Sequence, residues 1–278
     1  MQIIHTIAEL RLRLANQKKI GFVPTMGNLH AGHIHLTSLA RQQSDCVVVS
    51  IFVNPLQFGA NEDLAAYPRT LDEDCKKLEA AGADIVFAPS ENEVYPRPQT
   101  MTIVPPAIAG ELCGASRPGH FGGVATVVLK LFNIVQPDIA VFGKKDFQQL
   151  FIIRQLVSQF NLPIEIIPGE TRREEDGLAM SSRNGYLNPA ERLEAQRLYR
   201  ALKLVVDAVR KKKLGFAEIE SQTIQYLTQL GWIVDYISIR NAQTLLPATA
   251  NDIKLVALGA ARLGKTRLID NIEFDLDR

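Results

Sequence analysis

Short apolar runs alternate with amphipathic segments over the first part of the chain. Runs rich in β-branched residues are typical of strands covered on both faces, and they occur at 20–23, 45–53, 84–88, 139–142 and 164–167. Apolar residues at helical spacing fill the intervals and predict helices at 34–42, 70–82, 124–135 and 147–160. This alternation predicts an α/β domain with a Rossmann-like, doubly wound parallel sheet over residues 1–171.

The pattern changes near Thr171. A polar, charged and glycine-containing segment runs to Asn188, and a long amphipathic helix is then predicted from Pro189 to Lys213, with a second one at 217–230. Apolar runs at 233–239, 253–258 and 267–274 predict three more strands. We therefore expect residues 172–278 to form a smaller α+β C-terminal domain that closes over the first as a lid.

The turn between the first buried strand and its helix carries the main candidate chemistry, in the stretch Pro24-Thr-Met-Gly-Asn-Leu-His-Ala-Gly-His33. Free backbone N–H groups and the helix dipole attract anions at such a turn. His30 and His33 lie on one side of the helix start, where imidazoles donate hydrogen bonds to phosphoryl oxygens. A metal-binding histidine pair and histidines without chemistry are the alternatives, although no Cys or carboxylate stands nearby at zinc-like spacing.

Two more turns lie at the same predicted sheet edge. Asn54 and Gln57 follow the strand at 45–53, and their neutral amides suit the hydroxyl groups of a small substrate. Gly143-Lys144-Lys145-Asp146 follows the strand at 139–142, where lysines neutralise a polyphosphate. A polar loop with two hydroxyls and a guanidinium, Met180-Ser-Ser-Arg-Asn184, is suited to wrapping phosphates.

The acidic residues after Thr70 have two interpretations. Asp72, Glu73 and Asp74 stand in the first turn of a predicted helix, where carboxylates stabilise the dipole. The alternative is a Mg²⁺ site beside a nucleotide, with Asp74 as the ligand. The segment from Pro89 to Gly123 is rich in Pro and Gly and is predicted to be a long loop, in which His120 has no partner identifiable from sequence.

Composition narrows the class of protein. The 278 residues carry a formal net charge of +1, which gives no overall attraction to nucleic acid or to a membrane surface. Three scattered cysteines form no paired framework, which favours the cytoplasm. Charges interrupt the apolar residues of Met1 to Leu14, so we expect neither a signal peptide nor a membrane span there.

One match to a nucleotide-binding pattern is coincidental. Gly259-Ala-Ala-Arg-Leu-Gly264-Lys265-Thr266 fits the phosphate-loop pattern at every position, but that pattern requires a following helix. The next residues, 267–274, have the pattern of a strand. We therefore predict a turn between the last two strands, and no phosphate loop.

Six motifs together closely resemble the pantoate–β-alanine ligase family, in the expected order over essentially the whole chain. They are the stretch 24–33, Phe52-Val-Asn-Pro-Leu-Gln-Phe58, Tyr67-Pro-Arg-Thr70, Arg117-Pro-Gly-His-Phe121, Lys145-Asp-Phe-Gln-Gln149 and Met180-Ser-Ser-Arg-Asn184. The His30-Ala-Gly-His33 motif alone indicates only the wider nucleotidylyltransferase superfamily. The other motifs narrow the resemblance to the ligase.

The resemblance implies specific site residues. The ATP site comprises Met26, Gly27, Asn28, Leu29, His30, Ala31, Gly32, His33, Gly143, Lys144, Lys145, Asp146, Arg172, Met180, Ser181, Ser182 and Arg183. Within it His30, His33, Lys145, Ser181, Ser182 and Arg183 are implied at the phosphates, with His33 as a proton donor. Gln57 and Gln149 are implied to bind pantoate, supported by Met26 and Asn54. Arg172 stands where the family usually has Val beside the adenine.

The implied reaction is the ATP-dependent condensation of pantoate with β-alanine through a pantoyl adenylate, with Mg²⁺ and a homodimeric enzyme. The substrate carboxylate would be the nucleophile, which explains why the sequence offers no Ser-His-Asp or Cys-His arrangement. Two alternatives remain. One is an adenylyltransferase with a phosphorylated acceptor, which predicts a cationic acceptor pocket, and the other is a nucleotide-binding module without chemistry.

Overall fold

The computed structural model describes residues 1–59 and 64–276. Its helices are α1 (Ile7–Leu14), α2 (Ala31–Gln43), α3 (Leu71–Ala80), α4 (Glu91–Val94), α5 (Cys113–Ser116), α6 (His120–Val135), α7 (Phe147–Gln159), α8 (Pro189–Ala195), α9 (Arg197–Arg210) and α10 (Phe216–Gln229). Its strands are β1 (Gln2–Ile4), β2 (Ile20–Thr25), β3 (Cys46–Ile51), β4 (Ile85–Phe87), β5 (Ile139–Gly143), β6 (Glu165–Gly169), β7 (Ile233–Asn241), β8 (Lys254–Leu263) and β9 (Thr266–Asp275).

The chain divides into two compact units. The first unit comprises Met1–Ala109, Arg117–Lys144 and Gln149–Glu170, and the second comprises Gly110–Ser116, Lys145–Gln148 and Thr171–Arg278. Two short segments from the earlier part of the chain therefore pack with the C-terminal residues. Sequence periodicity does not reveal such segments, because each is too short to carry a pattern of its own.

The first unit is built on a parallel sheet with strand order β1-β4-β3-β2-β5-β6. The chain leaves β2 for β3 on one side, whereas β5 lies on the other side of β2, so the strand order reverses between β2 and β5. Ligands bind outside the carboxyl ends of strands at such a switch point. The predicted Rossmann-like, doubly wound fold is confirmed.

Both faces of this sheet are buried, which explains the unbroken apolar runs. Phe22 and Val48 face a core formed with α1, α6 and α7, whereas Val23, Val47 and their neighbours face a second core formed with α2 and α3. Side chains alternate between the two faces of a strand, so a strand covered on both sides needs apolar residues at every position.

The predicted loop from Pro89 to Gly123 contains more structure than its composition suggests. It includes α4, α5, a 3-10 turn at Ala107–Gly110 and the start of α6, which begins at His120 instead of the predicted Val124. A side chain at Gly123 would place its Cβ 2.1 Å from the Leu56 carbonyl oxygen. The glycine at 123 is therefore required where this helix approaches the loop after β3.

The second unit contains the antiparallel sheet β7-β8-β9. Its helix-covered face forms a core with Leu198, Leu202 and Val205 of α9. One long helix was predicted from Pro189 to Lys213. That prediction was wrong, because the structure has two helices there, α8 and α9, which are separated at Gln196. The predicted turn at Gly264-Lys265 is confirmed, since β8 and β9 pair as an antiparallel hairpin through Leu263 and Thr266.

Among the described residues, no helix combines the length and the apolar character that crossing a bilayer requires.

Candidate active site

The loop between β2 and α2 is held in place by α3. Its Asn28 N–H and Leu29 N–H each donate to a carboxylate oxygen of Asp74 at 2.8 Å, and Lys77 donates to the Leu29 carbonyl at 2.8 Å. Gly27 precedes them with a φ of 85°, a left-handed conformation that glycine adopts without strain. The acidic residue that sequence analysis assigned to a helix dipole or to a metal therefore fixes the loop.

The geometry of Asp74 does not fit the predicted magnesium ligand. Its side chain is fully buried, and its Oδ2 also accepts a hydrogen bond from the Thr70 hydroxyl at 3.1 Å. Both oxygens are directed at protein donors. Over 1–59 and 64–276, no three His, Cys, Asp or Glu side chains are grouped so as to hold a metal ion. Asp74 therefore holds the loop, and its hydrogen bonds do not favour a role as a magnesium ligand.

The two histidines cap α2. His30 is the N-cap residue, and its Nδ1 accepts from the Gly32 N–H at 3.1 Å. The Nδ1 of His33 accepts from the His30 N–H at 3.3 Å, and the two ring centroids are 4.1 Å apart. Because a backbone N–H only donates, each Nδ1 is an acceptor, and each neutral ring carries its proton on Nε2.

This arrangement changes the predicted mode of anion binding. The Gly32 N–H is bonded to the His30 ring, and the His33 N–H donates to the His30 carbonyl at 2.9 Å. These amides are not the free helix-start donors that the sequence suggested. The same hydrogen bonds fix the tautomer of both imidazoles, with Nδ1 as the acceptor and the proton on Nε2.

Asn54 lies at the centre of a second group in the first unit. Its side chain is 1% exposed, and its Oδ1 accepts from the Leu56 N–H at 3.4 Å and from the Tyr95 hydroxyl at 2.8 Å. Its Nδ2 donates to the Gln57 Oε1 at 3.1 Å and to the Gly123 carbonyl at 3.3 Å. Burial raises the pKa of Tyr95, which keeps its hydroxyl protonated.

The network fixes which end of the Gln57 amide is a donor. The backbone N–H of Leu56 makes Asn54 Oδ1 an acceptor, so Asn54 Nδ2 is the donor to Gln57 Oε1. The Gln57 Nε2 then faces the other way and donates to the Met26 sulfur at 3.0 Å. Sulfur is a weak acceptor, and the second N–H of the Gln57 amide has no protein acceptor among the described residues. Gln57 thus presents an N–H donor.

His120 holds the backbone of Gln57 in place. An Arg117 nitrogen lies 2.9 Å from His120 Nε2, and His120 Nδ1 lies 2.8 Å from the Gln57 carbonyl oxygen. Arginine only donates and a carbonyl only accepts, so His120 carries its proton on Nδ1. The residue left without a partner by sequence analysis therefore holds the backbone of Gln57.

Two pairs of identical neighbours follow β5, Lys144 with Lys145 and Gln148 with Gln149, and the members of each pair have different surroundings. Lys144 forms an ion pair with Glu170 at 2.6 Å. The buried Gln148 accepts from the Cys113 N–H at 3.0 Å and donates to the Glu111 carbonyl at 2.9 Å, all within the second unit. Gln149, the residue predicted to bind pantoate, is partly exposed.

In the second unit, residues 171–180 form a small hairpin that leads into the hydroxyl-rich loop. Arg173 pairs with Ala179, and the Met180 N–H donates to the Arg172 carbonyl at 2.9 Å. Ser181 caps the next turn by accepting from the Arg183 N–H at 3.2 Å, which leaves its hydroxyl proton to donate. Arg172 is exposed.

The structure brings some predicted residues together and leaves others in separate units. Hydrogen bonds join Met26, Gln57 and Asn54, and others join His30 with His33. The first unit also contains Gly143, Lys144 and Gln149, whereas the second contains Lys145, Asp146, Arg172, Met180, Ser181, Ser182 and Arg183. Sequence analysis missed the supporting residues Tyr95, Arg173, Asp270 and Asn271, because their partners are distant in the chain.

Comparison with known proteins shows the family to which this sequence is similar. The sequence model of a family described as pantoate-beta-alanine ligase matches residues 2–273. A pantothenate synthetase of Methylobacillus flagellatus is 72% identical over 276 residues, covering 99% of each chain. Another, from Neisseria meningitidis serogroup C, is 58% identical over 277 residues, covering 99% of this chain and 100% of that relative.

Solved structures give the same result. The crystal structure of pantothenate synthetase from Thermus thermophilus matches with a TM-score of 0.92 and 44% identity, covering 98% of this chain and 99% of that one. The pantoate–β-alanine ligase of Francisella tularensis, crystallised with beta-gamma ATP and β-alanine, matches with a TM-score of 0.84 and 36% identity over 98% and 97% of the two chains. The chain therefore belongs to the pantoate–β-alanine ligase family, whose curated relatives bear the name pantothenate synthetase.

Proposed function

We propose that this enzyme condenses (R)-pantoate with β-alanine in an ATP-dependent reaction, through a pantoyl-adenylate intermediate. The observation that carries the proposal is the fixed polarity of two donor groups in the first unit. One is the Gln57 amide, whose N–H is oriented by Asn54, and the other is the pair of histidine Nε2–H groups. The Francisella relative was crystallised with beta-gamma ATP and β-alanine, which supports the same substrates here.

Pantoate carries hydroxyl and carboxylate oxygens, and these are acceptors for the Gln57 N–H. Gln149 is the second amide assigned to pantoate. Neutral amides bind hydroxyl groups without adding charge beside the substrate carboxylate, which must remain a nucleophile. Neutral donors also argue against a phosphorylated acceptor, for which cationic side chains would be expected.

The ATP phosphates are assigned to groups that donate or carry positive charge. The Nε2–H groups of His30 and His33 donate to phosphoryl oxygens, where negative charge grows during substitution. Lys145, Arg183 and the hydroxyls of Ser181 and Ser182 are assigned to the same phosphate chain. Lys144 contributes less charge, because Glu170 already neutralises it.

The chemistry proceeds in two displacements. A pantoate carboxylate oxygen attacks the α-phosphorus of ATP, a new P–O bond forms, and the bond to pyrophosphate breaks. The β-alanine amine then attacks the acyl carbon, AMP leaves with the electron pair of the C–O bond, and the amine loses a proton. No covalent enzyme intermediate is needed, so the protein aligns the reactants and stabilises charge. Any Mg²⁺ would be held by the phosphates of ATP, since Asp74 is bonded to the loop.

The proposal is tested by ATP–pyrophosphate exchange with pantoate present and β-alanine absent. Exchange that requires pantoate is expected, because the first displacement is reversible and does not involve the amine. 3,3-Dimethylbutanoate is a matched control, since it keeps the carbon skeleton and the carboxylate of pantoate but lacks both hydroxyls. It should support little exchange.

Other outcomes separate the alternatives. Exchange without pantoate, or equally well with 3,3-dimethylbutanoate, contradicts the assignment of Gln57 to the hydroxyls. No exchange, with AMP released only when β-alanine is added, indicates a concerted route. Absence of AMP under every condition, from a folded protein that binds ATP, contradicts the proposed reaction.

A further inference from the structure

Two consecutive residues of β9 connect the phosphate-binding segments of the second unit. Asp270 and Asn271 are 5% and 6% exposed, and neighbouring side chains of a strand point to opposite faces of the sheet. Asp270 pairs with Gly259, at a position where an added Cβ would touch Leu198 and Leu202. Asp270 therefore lies on the face covered by α9, and Asn271 lies on the opposite face.

Asp270 is bound by a guanidinium. Arg173 donates to both of its carboxylate oxygens, at 2.6 Å and 2.9 Å. The same guanidinium donates to the carbonyls of Gly177 at 3.1 Å and Asn271 at 3.3 Å, and it stacks 3.8 Å from the centre of the Tyr199 ring. With these partners, Arg173 serves the fold and has few donors left for a phosphate.

This ion pair sets the position of the 171–180 hairpin. Arg173 is bonded to the hairpin's own turn through Gly177, where an added Cβ would lie 2.7 Å from the Tyr199 ring. The turn of the hairpin, at Gly177, therefore packs against Tyr199 of α9. Its first strand is bonded to β9 through Arg173 and Asp270. The Met180 N–H closes it, so the anchored segment leads directly into Ser181, Ser182 and Arg183.

Asn271 extends the connection to the other phosphate-binding segment. Its Nδ2 donates to the Lys145 carbonyl at 2.9 Å, and its own N–H donates to Asp270 Oδ1 at 2.8 Å. Burial raises the pKa of the Asp270 carboxyl. The positive charges of Arg173 and Lys145 act on the same carboxyl in the opposite direction. Both segments are therefore fixed to adjacent residues of one strand.

Stability alone is a weak explanation for such a pair. Removing two charges from water costs about as much as their attraction returns, and a buried ion pair often adds no net stability over apolar residues. Its directional, bidentate geometry does fix the orientation of the segments that it joins. Precise placement of charged groups around a reacting phosphate is what this kind of catalysis requires.

We infer that Asp270 is a positioning residue for ATP, which acts through Arg173 on the Met180–Arg183 loop and through Asn271 on Lys145. This inference rests on the proposed function, because it assigns both segments to the phosphates of ATP. It predicts a loss confined to ATP, since the residues assigned to pantoate, Gln57 and Gln149, belong to the first unit.

The test replaces Asp270 with the isosteric Asn in the full chain. Asp270→Asn should raise the KM for ATP about tenfold or more in pantoate-dependent exchange, the scale of a misplaced catalytic group, while the KM for pantoate changes less than about twofold. Glu194→Gln is the matched control. It breaks another ion pair of the second unit, with Arg197, and loses a bond from Trp232, so it should lower stability without changing the KM for ATP.

A double-variant cycle tests the route of the effect. If Asp270 acts through Arg173, the double variant should lose about as much ATP affinity as Asp270→Asn alone, and Arg173→Met should lose no more than that. Additive losses, or an unchanged KM for ATP in Asp270→Asn, would overturn the inference. If Asp270→Asn fails to fold, Asn271→Ala replaces it, and an unchanged ATP affinity in that variant would overturn the inference equally.

Calorimetric titration with ATP alone separates this inference from the proposed function. ATP affinity does not depend on the identity of the acceptor acid. A wild-type enzyme that binds ATP but shows no exchange with pantoate would contradict the proposed function only. A Kd for ATP that is equal in Asp270→Asn and in the wild type would contradict the positioning role only.

Discussion

Two groups of candidate site residues, one in each unit, are held by different interactions. In the first unit a network of neutral groups orients Gln57, with Asn54, Tyr95 and the neutral His120 as its members. In the second unit a charged pair fixes the segment before the hydroxyl-rich loop, since Arg173 binds Asp270. A neutral network fixes donors and acceptors without adding charge, whereas ion pairs fix loops that must themselves meet a highly charged ligand.

The difference matches the ligands assigned to these two groups, which are pantoate for Gln57 and the phosphates of ATP for Lys145 and the Met180–Arg183 loop. Pantoate requires donors beside its hydroxyls and a carboxylate that stays nucleophilic, and extra cations there would weaken that nucleophile. A triphosphate requires cationic side chains, and buried carboxylates can hold their supporting arginines in place.

The largest effect is expected where neutral donors meet growing charge. His30→Ala and His33→Ala should each slow adenylate formation about a hundredfold, the scale of losing one preorganised donor at a developing anion. Single-turnover measurement of pyrophosphate release gives this rate directly. His5→Ala is the control, because His5 is an exposed histidine of the same unit, bonded to the Ala88 carbonyl, and it should leave the rate unchanged.

A normal single-turnover rate in either variant would remove that residue from the role. Each histidine also caps α2, so a loss of stability without a loss of rate would assign the ring to the helix alone.

The next effect separates pantoate from ATP. Gln57→Glu places an acceptor where the network presents a donor, beside a negatively charged substrate. We expect the KM for pantoate to rise about tenfold to a hundredfold, from the loss of a hydrogen bond to a charged ligand, and the KM for ATP to change little. Steady-state exchange kinetics with each substrate varied in turn provide the measurement.

Gln57→Met is the sharper comparison, because it removes the amide without adding charge and should cost less. Equal losses for pantoate and ATP in both variants would show that Gln57 is assigned to the wrong substrate.

A smaller effect is expected on the folding stability of the second unit at low pH. Hydrogen bonding to Arg192 lowers the pKa of Asp176, and hydrogen bonding to Arg197 lowers the pKa of Glu194. A carboxyl whose pKa is lowered by folding stabilises the protein above its unfolded pKa, near 4, and this contribution is lost as the pH falls through the folded value. The second unit should therefore lose stability from about pH 5 downward.

Trp232 reports on this unit selectively. It is the only tryptophan of the chain, it is buried among the residues of that core, and it donates to Glu194 at 3.2 Å. Urea unfolding followed by tryptophan fluorescence should show Asp176→Asn to be less stable than the wild type by at most about 1 kcal/mol at pH 7, with a smaller difference at pH 3. A difference that does not change with pH would contradict the ion-pair explanation.

The sequence was sufficient for the features that depend on local pattern. Doubly buried strands such as β3 show as continuous apolar runs, and the turn after β2 follows from its position between a strand and a helix. Other features depend on contacts between distant residues. Asp74 binds a loop 45 residues earlier in the chain, and Arg173 binds a strand 97 residues later. No local pattern encodes such pairs.

Adjacent residues of one type show the same limit. Nothing in the local sequence separates Gln148 from Gln149, or Arg172 from Arg173. Only burial and partners show that Gln148 and Arg173 are structural. The start of α6 was placed late because Gly122 and Gly123 suggest a loop, whereas the close approach to Leu56 is the reason for a glycine at 123.

The smallest effect is expected for Lys265→Ala, which should leave ATP binding almost unchanged. Gly264 and Lys265 form the turn between β8 and β9, and Lys265 is followed by a strand, so its N–H groups cannot line a helix start as a phosphate loop requires. Lys265→Ala should change the Kd for ATP less than twofold in calorimetric titration. Lys145→Ala, which removes a cation assigned to the phosphates, should weaken ATP binding in the same experiment. Equal losses in the two variants would mean that a positive charge anywhere in the second unit is sufficient for ATP binding. The ion pairs of this unit would then not be needed to place particular cations.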